Sequence, residues 1–390
     1  MERKRRESAG DPRQLVKAKP PLPILRCWAE IDLAAIQHNA RVAAGVSQCG
    51  LIGVIKANAY GFGAVPVARA LAGQVKMFGA ATLAEALELR AACIKTPVLL
   101  LGARVPEERE TVVKHGFVPC ISSVNEAKAW DALAKQKRKS PFVVHVAIDT
   151  GMGRIGFAEL DWNPRTIRAL ASLKHLRIDG IASHFPSADE DRRFTRKQIQ
   201  RFGELQMLAV EHGLTPRLSH IGNSAGVLDC PELQTVSNLV RPGLMLYGVS
   251  PIAAQQELLK PVLSWKTHVT LLRDLPKGHS ISYGRAFITK KPMRVATLAV
   301  GYADGFPRHL SGNGAEVLIR GHRCPVLGRV TMDQIVVDAS RSAARLGDEA
   351  VLIGTQGREE ITPAELAQKA GTIPWEILTR LSSRVQRLYK

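Results

Sequence analysis

The chain has 390 residues, of which 45% are hydrophobic, 23% are charged and 5% are aromatic. This apolar share can fill a core, so a chain that is disordered throughout is excluded, and the length predicts two domains. No segment approaches the roughly 18 uninterrupted apolar residues of a membrane-spanning helix, which excludes a transmembrane protein.

The formal net charge is +19, from 54 lysines and arginines against 35 aspartates and glutamates. Such a balance can mark proteins that bind nucleic acid or anionic membranes, but here the basic residues are spread along the chain. We therefore expect neither nucleic acid nor a membrane as partner. An anionic substrate or cofactor, or simply a solvated surface, explains the charge better.

The six cysteines stand far apart and form no C-x-x-C pair. They fit neither a zinc site nor a disulfide framework, so we predict no metal and a reducing, cytoplasmic location. The first 24 residues carry a basic cluster, from Arg3 to Arg6, followed by prolines instead of an apolar signal core. They are predicted to form a disordered basic tail.

Short apolar runs alternate with helical patterns between residues 51 and 240. Eight such runs, most of them followed by a helix, are typical of a (β/α)8 TIM barrel, which we predict over residues 25–255. An additional helix is predicted over 32–46, with Asp32 as its N-cap. The predicted strands are 51–55, 77–81, 97–101, 117–121, 142–148, 176–182, 217–221 and 235–240.

Residues 256–390 contain short β-like runs between Gly and Pro turns, with helical patterns only at 363–370 and 375–381. This pattern predicts a second, smaller and mostly β domain. Functional side chains of a TIM barrel follow the carboxyl ends of its strands, so candidate site residues are expected there.

Lys56 directly follows the first predicted barrel strand, within the run VIKANAYGFG at 54–63. A lysine that is desolvated in a barrel mouth loses its proton more readily and can form a Schiff base with a carbonyl. A lone lysine at this place would more often be a solvated rim residue. The surrounding run, however, resembles the pyridoxal-phosphate lysine segment of alanine racemases.

The resemblance continues from about residue 28 to residue 387. The motifs that carry it, in chain order, are DTGMGRIGF at 149–157, SHF at 183–185, HIGNSA at 220–225, RPGLMLYG at 241–248, SYG at 282–284, GYADGFPR at 301–308 and GRVTMDQ at 328–334. The resemblance implies a pyridoxal-phosphate-dependent enzyme that interconverts L-alanine and D-alanine and supplies D-alanine for peptidoglycan. It also implies a head-to-tail homodimer in which Tyr283, Tyr302 and Met332 enter the neighbouring barrel.

Racemisation removes the proton on the α-carbon and returns one to the opposite face, so it needs an electron sink and two bases. The resemblance assigns the bases to Lys56 and Tyr283. A tyrosine has a pKa near ~10 and needs cationic or hydrogen-bonding help to act as a base, and Arg154 and His184 would give it. Taken singly, His184 would more often be a structural histidine and Arg154 a loop cation.

The resemblance also assigns the remaining contacts. Arg241, supported by His220, would face the pyridine nitrogen of the cofactor, and because arginine keeps its proton, that nitrogen would stay uncharged. The substrate carboxylate would meet Arg154, Tyr302 and the amide of Met332. The phosphate would be bound by Tyr60, Asn223, Ser224, Gly243 and Leu244, although Asn223-Ser224 could equally be a simple helix cap; the entrance would be lined by Asp189, Arg308 and Arg329.

Two positions depart from the family pattern. Ala147 stands where many members carry a lysine, often carbamylated, that orients the arginine corresponding to Arg154. Ser383 stands where some relatives carry a phosphate-binding tyrosine. Both changes favour a broader substrate range, so one alternative is a racemase acting on serine or basic amino acids. Two further alternatives of other classes are a related amino-acid decarboxylase and a non-catalytic cofactor-carrying barrel.

Overall fold

The computed structural model describes residues 25–390, and the predicted basic tail, residues 1–24, lies outside them. Within the described residues, no helix has the length and apolar character needed to cross a membrane. The described part of the chain begins with a strand, β1 (Cys27–Ile31), and a helix, α1 (Leu33–Ser47). The predicted cap of this helix is confirmed, because the Asp32 carboxylate accepts a 2.8 Å hydrogen bond from the amide of Ala35.

The predicted TIM barrel is confirmed: eight parallel strands close into a ring. Each barrel strand pairs with the next one along the chain, and the last pairs with the first, with Leu239 opposite Gly50. The strands are β2 (Gly50–Val54), β3 (Met77–Ala80), β4 (Val98–Leu100), β5 (Val118–Ile121), β6 (Phe142–Asp149) with the short β7 (Phe157–Ala158) attached to it, β8 (Leu176–Ala182), β9 (Leu218–His220) and β10 (Leu239–Val240).

Helices follow most of these strands and cover the outside of the barrel. Their starts follow local rules: in α4, for example, Thr82 and Glu85 form a reciprocal capping box. The helices are α3 (Ala64–Leu71), α4 (Leu83–Ala91), α5 (Arg109–His115), α6 (Val124–Gln136), α7 (Pro164–Ala171), α8 (Arg192–Glu211) and α9 (Ser224–Asp229). A short segment before them, α2 (Lys56–Tyr60), has left-handed instead of α-helical backbone angles.

The second domain is mostly β, as predicted, and its main sheet closes on itself around the long strand β11 (Leu263–Leu275). The first half of β11 pairs with β18 and the second half with β14, and each pairing contains one register shift. The other elements are β12 (Ser280–Ile281), β13 (Phe287–Ile288), β14 (Met293–Leu298), β15 (Glu316–Ile319), β16 (His322–Leu327), β17 (Ile335–Asp338), β18 (Glu349–Gln356), β19 (Glu359–Ile361), α10 (Pro363–Ala370), α11 (Pro374–Thr379) and β20 (Gln386–Tyr389).

One strand lies outside the domain that the sequence assigned to it. Residues 27–31 were predicted with the barrel, but β1 pairs antiparallel with β11 and parallel with β20. From residue 27 onward, the chain therefore passes from the second domain into the barrel through α1 and returns after β10. Apolar alternation marks a strand but does not say which sheet it joins, since pairing is a long-range choice.

The C-terminal strand ties the second domain to the barrel mouth. The Arg387 guanidinium donates a 3.0 Å hydrogen bond from Nε to the carbonyl of Gly61, and the Tyr389 hydroxyl donates one of 3.0 Å to the carbonyl of Phe62. Both acceptors belong to the turn that follows Lys56. The second domain thus supports the segment that carries the candidate catalytic lysine.

Candidate active site

A cavity of about 1030 Å³ opens at the carboxyl ends of the barrel strands. Eleven of the predicted site residues line it, and they come from the ends of different strands, as expected for this fold. They are Lys56, Tyr60, Arg154, His184, Asp189, His220, Asn223, Ser224, Arg241, Gly243 and Leu244.

Lys56 stands at the start of a strained turn. The four residues that follow it, from Ala57 to Tyr60, all have φ between 52° and 56°. Only glycine visits this left-handed region routinely, and other residues pay roughly 1–2 kcal/mol each. This turn directs both Lys56 and Tyr60 into the cavity.

Specific hydrogen bonds hold this turn. The Glu85 carboxylate accepts from the amide of Ala57 at 2.7 Å, and with its other oxygen from the amides of Ala81 and Thr82. The Asn58 side chain accepts from the amide of Ala64 at 2.8 Å. The energy of these contacts, together with the support from β20, offsets the strain in the turn.

The pKa of the Lys56 amine is lowered from its usual value. Partial burial is the main cause, and the positive charge of Arg154 adds to it, while Glu85 acts in the opposite direction. A lowered pKa makes the neutral, nucleophilic amine easier to reach near neutral pH.

Arg154 lies on a tight glycine-rich loop that Asp149 organises. The Asp149 carboxylate accepts from the amides of Gly151, Met152 and Gly153 at 2.8–2.9 Å, which holds its pKa below the usual value although burial acts to raise it. Asp149 is therefore committed to the loop. Among residues 25–390, Arg154 forms no ion pair, and Ala147 at the cavity wall offers it no polar atom.

Arg241 is buried at the base of the cavity and organises two histidines. Its Nη1 donates to His220 Nδ1 at 2.5 Å and to the His220 carbonyl at 2.7 Å, and its Nη2 donates to His184 Nδ1 at 2.9 Å and to the Ser183 carbonyl at 2.5 Å. Burial lowers the pKa of Arg241 to about 10, so it remains protonated at neutral pH. The pKa values of His184 and His220 are lowered well below 6.5, chiefly by burial and then by the Arg241 charge, so both are neutral.

The predicted phosphate residues surround one corner of the cavity. Asn223 caps α9, because its side chain accepts from the amide of Gly226 at 3.0 Å, and the Ser224 hydroxyl accepts from the amide of Gly243 at 3.0 Å. Burial raises the pKa of Tyr60 to about 12, so its hydroxyl stays protonated and can donate. A Cβ on Gly243 would lie only 2.4 Å from that hydroxyl, so glycine leaves the room in which the hydroxyl sits.

The remaining five predicted residues do not line this cavity in the described chain. Tyr283 and Met332 lie on the surface of the second domain, with exposures of 72% and 52%. Hydrogen bonds join their loops: the Ser282 hydroxyl donates to the carbonyl of Arg329 at 2.6 Å, and the amide of Tyr302 donates to the carbonyl of Thr331 at 3.0 Å. These five residues thus belong to a surface that is separate from the barrel cavity of the same chain: Tyr283, Tyr302, Arg308, Arg329 and Met332.

Sequence reasoning missed several supporting residues. Glu85, which holds the turn after Lys56, was hidden in an ordinary helical pattern, although the capping box with Thr82 was a readable signal. His145 lies beneath His220 inside the barrel, and its only signal is a histidine in the middle of an apolar strand. Ser383 is exposed and does not line the cavity, whereas Trp375 and Thr379 of α11 do.

Comparison with known proteins gives one consistent result. The model described as "Alanine racemase, N-terminal domain" matches residues 31–251, and that described as "Alanine racemase, C-terminal domain" matches residues 262–389. The chain is 40% identical over 369 residues to an alanine racemase of Methylacidiphilum infernorum, covering 94% of this chain and 93% of that protein.

Solved structures give the same result. An alanine racemase from Streptomyces coelicolor A3(2) superposes with a TM-score of 0.87 at 36% identity, covering 94% of this chain and 98% of that one. An alanine racemase from Bartonella henselae, solved with covalently bound pyridoxal phosphate, superposes with a TM-score of 0.84 at 31% identity, covering 94% of this chain and 99% of that one.

Proposed function

The chain belongs to the alanine racemase family, and we propose that it interconverts L-alanine and D-alanine with pyridoxal phosphate bound at Lys56. The observation that carries the proposal is the pairing of two groups in one cavity: an amine with a lowered pKa at Lys56, and a buried, protonated guanidinium at Arg241. The first suits a covalent bond to an aldehyde, and the second suits a hydrogen bond to a ring nitrogen.

The donors in the cavity fit pyridoxal phosphate. The Nη atoms of Arg241 donate to five acceptors, whereas its Nε donates to no residue within 25–390 and is left for the pyridine nitrogen. The Tyr60 hydroxyl and the amides of Ala225 and Leu244, which have no partner within the same residues, would bind the phosphate. When bound, the cofactor supplies the electron sink that makes the α-proton of an amino acid acidic enough to remove.

The chain's own residues then have to move one proton on each side of the substrate. Lys56 Nζ would hold or take the proton on one face, and its lowered pKa favours the neutral form that acts as a base. Tyr283 Oη would hold or take the proton on the opposite face of the substrate. The Arg154 guanidinium would orient the substrate carboxylate and, with neutral His184, stabilise the ionised tyrosine when it acts as a base.

Tyr283 would come from a second copy of the chain. It lies on the exposed surface of the second domain, outside the cavity of its own barrel, together with Tyr302 and Met332. In a head-to-tail homodimer this surface would cover the neighbour's barrel mouth and complete the site, with Asp189, Arg308 and Arg329 at the entrance. The D-alanine produced would serve peptidoglycan synthesis, and the free, mostly buried cysteines suit the reducing cytoplasm.

Borohydride reduction of the cofactor-loaded protein, followed by peptide mapping, tests the core of this proposal. We expect the label on the peptide that contains Lys56, and a Lys56→Arg variant should remain unlabelled and inactive. A label on another lysine, or the absence of alanine racemisation in the loaded wild-type protein, would overturn it.

The second candidate is a racemase of broader range. It is favoured by Ala147, whose methyl side chain adds neither a charge nor a hydrogen-bonding group to the cavity wall. A panel of relative rates over L-alanine, L-serine, L-lysine and L-arginine separates the two: alanine preferred by tenfold or more supports the first candidate, and comparable rates support the second.

A further inference from the structure

A line of three side chains runs from the base of the cavity into the middle of the barrel. Arg241 Nη1 contacts His220 Nδ1 at 2.5 Å, and His220 Nε2 contacts His145 Nδ1 at 2.8 Å. All three residues are buried, and His145 is fully enclosed. Below them the barrel interior is apolar, filled by Ile52, Met77, Leu99, Val118, Cys120 and Leu239.

With Arg241 in its observed place, the proton positions along this line can be read from the contacts. A guanidinium only donates, so His220 Nδ1 must accept. A neutral imidazole carries one proton, which therefore stands on His220 Nε2 and is donated to His145 Nδ1. His145 must then carry its own proton on Nε2.

That last proton has no acceptor in the described part of the chain. His145 Nε2 is a buried atom without a hydrogen-bond partner among residues 25–390. Buried donors are normally paired, so an unpaired one calls for an explanation. The fold also makes room for the ring: a Cβ on Gly180 would lie 2.5 Å from the His145 ring, so only glycine is compatible with this placement.

We propose that His145 is a positioning residue, which accepts the Nε2 proton of His220 and so holds His220 in the tautomer that receives Arg241. With an apolar residue at 145, the His220 proton would lose its acceptor. The other tautomer would point an N–H at the guanidinium and displace Arg241. The unpaired Nε2 of His145 is the consequence of presenting Nδ1 as an acceptor at this depth.

The functional consequence rests on the proposed function, since Arg241 Nε is the group assigned to the cofactor's ring nitrogen. The tautomer assignment does not rest on it. The matched variants are His145→Asn and His145→Leu, because Asn places an acceptor oxygen near the position of Nδ1 and Leu places a methyl group there. Leu99→Ala, in the same barrel interior but away from the line, controls for general loosening.

The primary measurement is nitrogen NMR of histidine-labelled holoenzyme, which distinguishes protonation at Nδ1 from protonation at Nε2. We expect a single Nε2-protonated His220 in the wild type, in His145→Asn and in Leu99→Ala, and a mixture of tautomers in His145→Leu. Pyridoxal phosphate should bind about tenfold more weakly to His145→Leu, and within about threefold of wild type to His145→Asn.

Several outcomes would overturn the proposal. The first is an Nδ1 proton on His220 in the wild type, a result that does not depend on any variant folding. The second is an unchanged tautomer and cofactor affinity in His145→Leu, and the third is an equal loss of cofactor affinity in His145→Leu and His145→Asn. Failure of the wild type to bind pyridoxal phosphate or to racemise alanine would instead refute the proposed function, and would leave the NMR result standing.

Discussion

The substitution Gly243→Ala tests the proposed phosphate site, which includes the Tyr60 hydroxyl and the amide of Leu244. The new Cβ would lie 2.4 Å from the Tyr60 hydroxyl, whereas ordinary contact begins near 3.4 Å, so the hydroxyl must move by about 1 Å. The ring cannot withdraw freely, because it stacks on Tyr247 at a centroid distance of 4.6 Å. The Tyr247 hydroxyl in turn donates to the carbonyl of Val54 at 2.8 Å.

The displaced hydroxyl should lose its bond to the phosphate. A hydrogen bond to a charged group contributes about 2 kcal/mol, so the affinity for pyridoxal phosphate should fall roughly 30-fold. Overpacking should also lower the free energy of unfolding of the cofactor-free protein by about 1–3 kcal/mol. Cofactor affinity is measured by fluorescence titration of the cofactor-free protein, and stability by urea unfolding.

A double-mutant cycle with Tyr60→Phe isolates the contact. Tyr60→Phe removes the hydroxyl, so adding Gly243→Ala to it should weaken the cofactor further by less than about threefold. Any effect of the backbone at 243 occurs in both backgrounds and cancels. The matched control is Gly45→Ala, in α1 with nothing within 4 Å of the new Cβ, which should stabilise the helix by about 0.5–1 kcal/mol. Equal weakening in both Tyr60 backgrounds would refute the reasoning.

Four further predictions concern the turn after Lys56, Lys56 itself, the buried His145 and the site shared between two subunits. Glu85→Gln replaces one acceptor oxygen with a donor that faces backbone amides, so urea unfolding should show a loss of about 1–3 kcal/mol; no loss would contradict the assigned role. The pKa of Lys56 is lower in the folded than in the unfolded chain, so its positive charge opposes folding at pH 7. Lys56→Met should therefore raise the thermal midpoint of the cofactor-free protein at pH 7, and this gain should vanish as the pH rises through 10.5. A gain that stays constant with pH would contradict this. Burial lowers the pKa of His145 to about 4, so as the pH falls below 6.5 this histidine is protonated in the unfolded chain before it is protonated in the folded one. This difference destabilises the folded protein, and His145→Asn should reduce the loss of stability between pH 6.5 and 4 by up to about 3 kcal/mol. Urea unfolding at both pH values measures it. Lys56→Ala and Tyr283→Phe subunits, each inactive alone, should regain activity when mixed, since a heterodimer rebuilds one intact site of two. We expect up to about half of the wild-type activity per heterodimer, or about a quarter for a fully exchanged equimolar mixture; no recovery after proven subunit exchange would exclude a shared site.

The sequence alone determined the architecture, and with the family resemblance it identified eleven residues of the cavity lining. Local patterns predicted the eight barrel strands, the mostly β segment after residue 255 and the helices at 363–370 and near 375. Each of these elements appears in the structure within a few residues of the prediction. The place of Lys56 and Arg241 at the barrel mouth was predictable because each directly follows a barrel strand, and the closure of a parallel barrel brings all such positions to one end. Their roles came from the family resemblance, since a lone lysine or arginine at such a place would more often be a solvated rim residue.

Only the tertiary structure decided the remaining features. It placed β1 in the second sheet and His145 beneath His220, both of which depend on pairing between distant segments. It gave four consecutive residues after Lys56 a left-handed conformation that none of them prefers, because Glu85, Asn58 and β20 hold the turn. It also left Tyr283 outside the cavity of its own chain. Local sequence sets which conformations and faces are favourable, whereas long-range contacts select among them and can impose a locally unfavourable one.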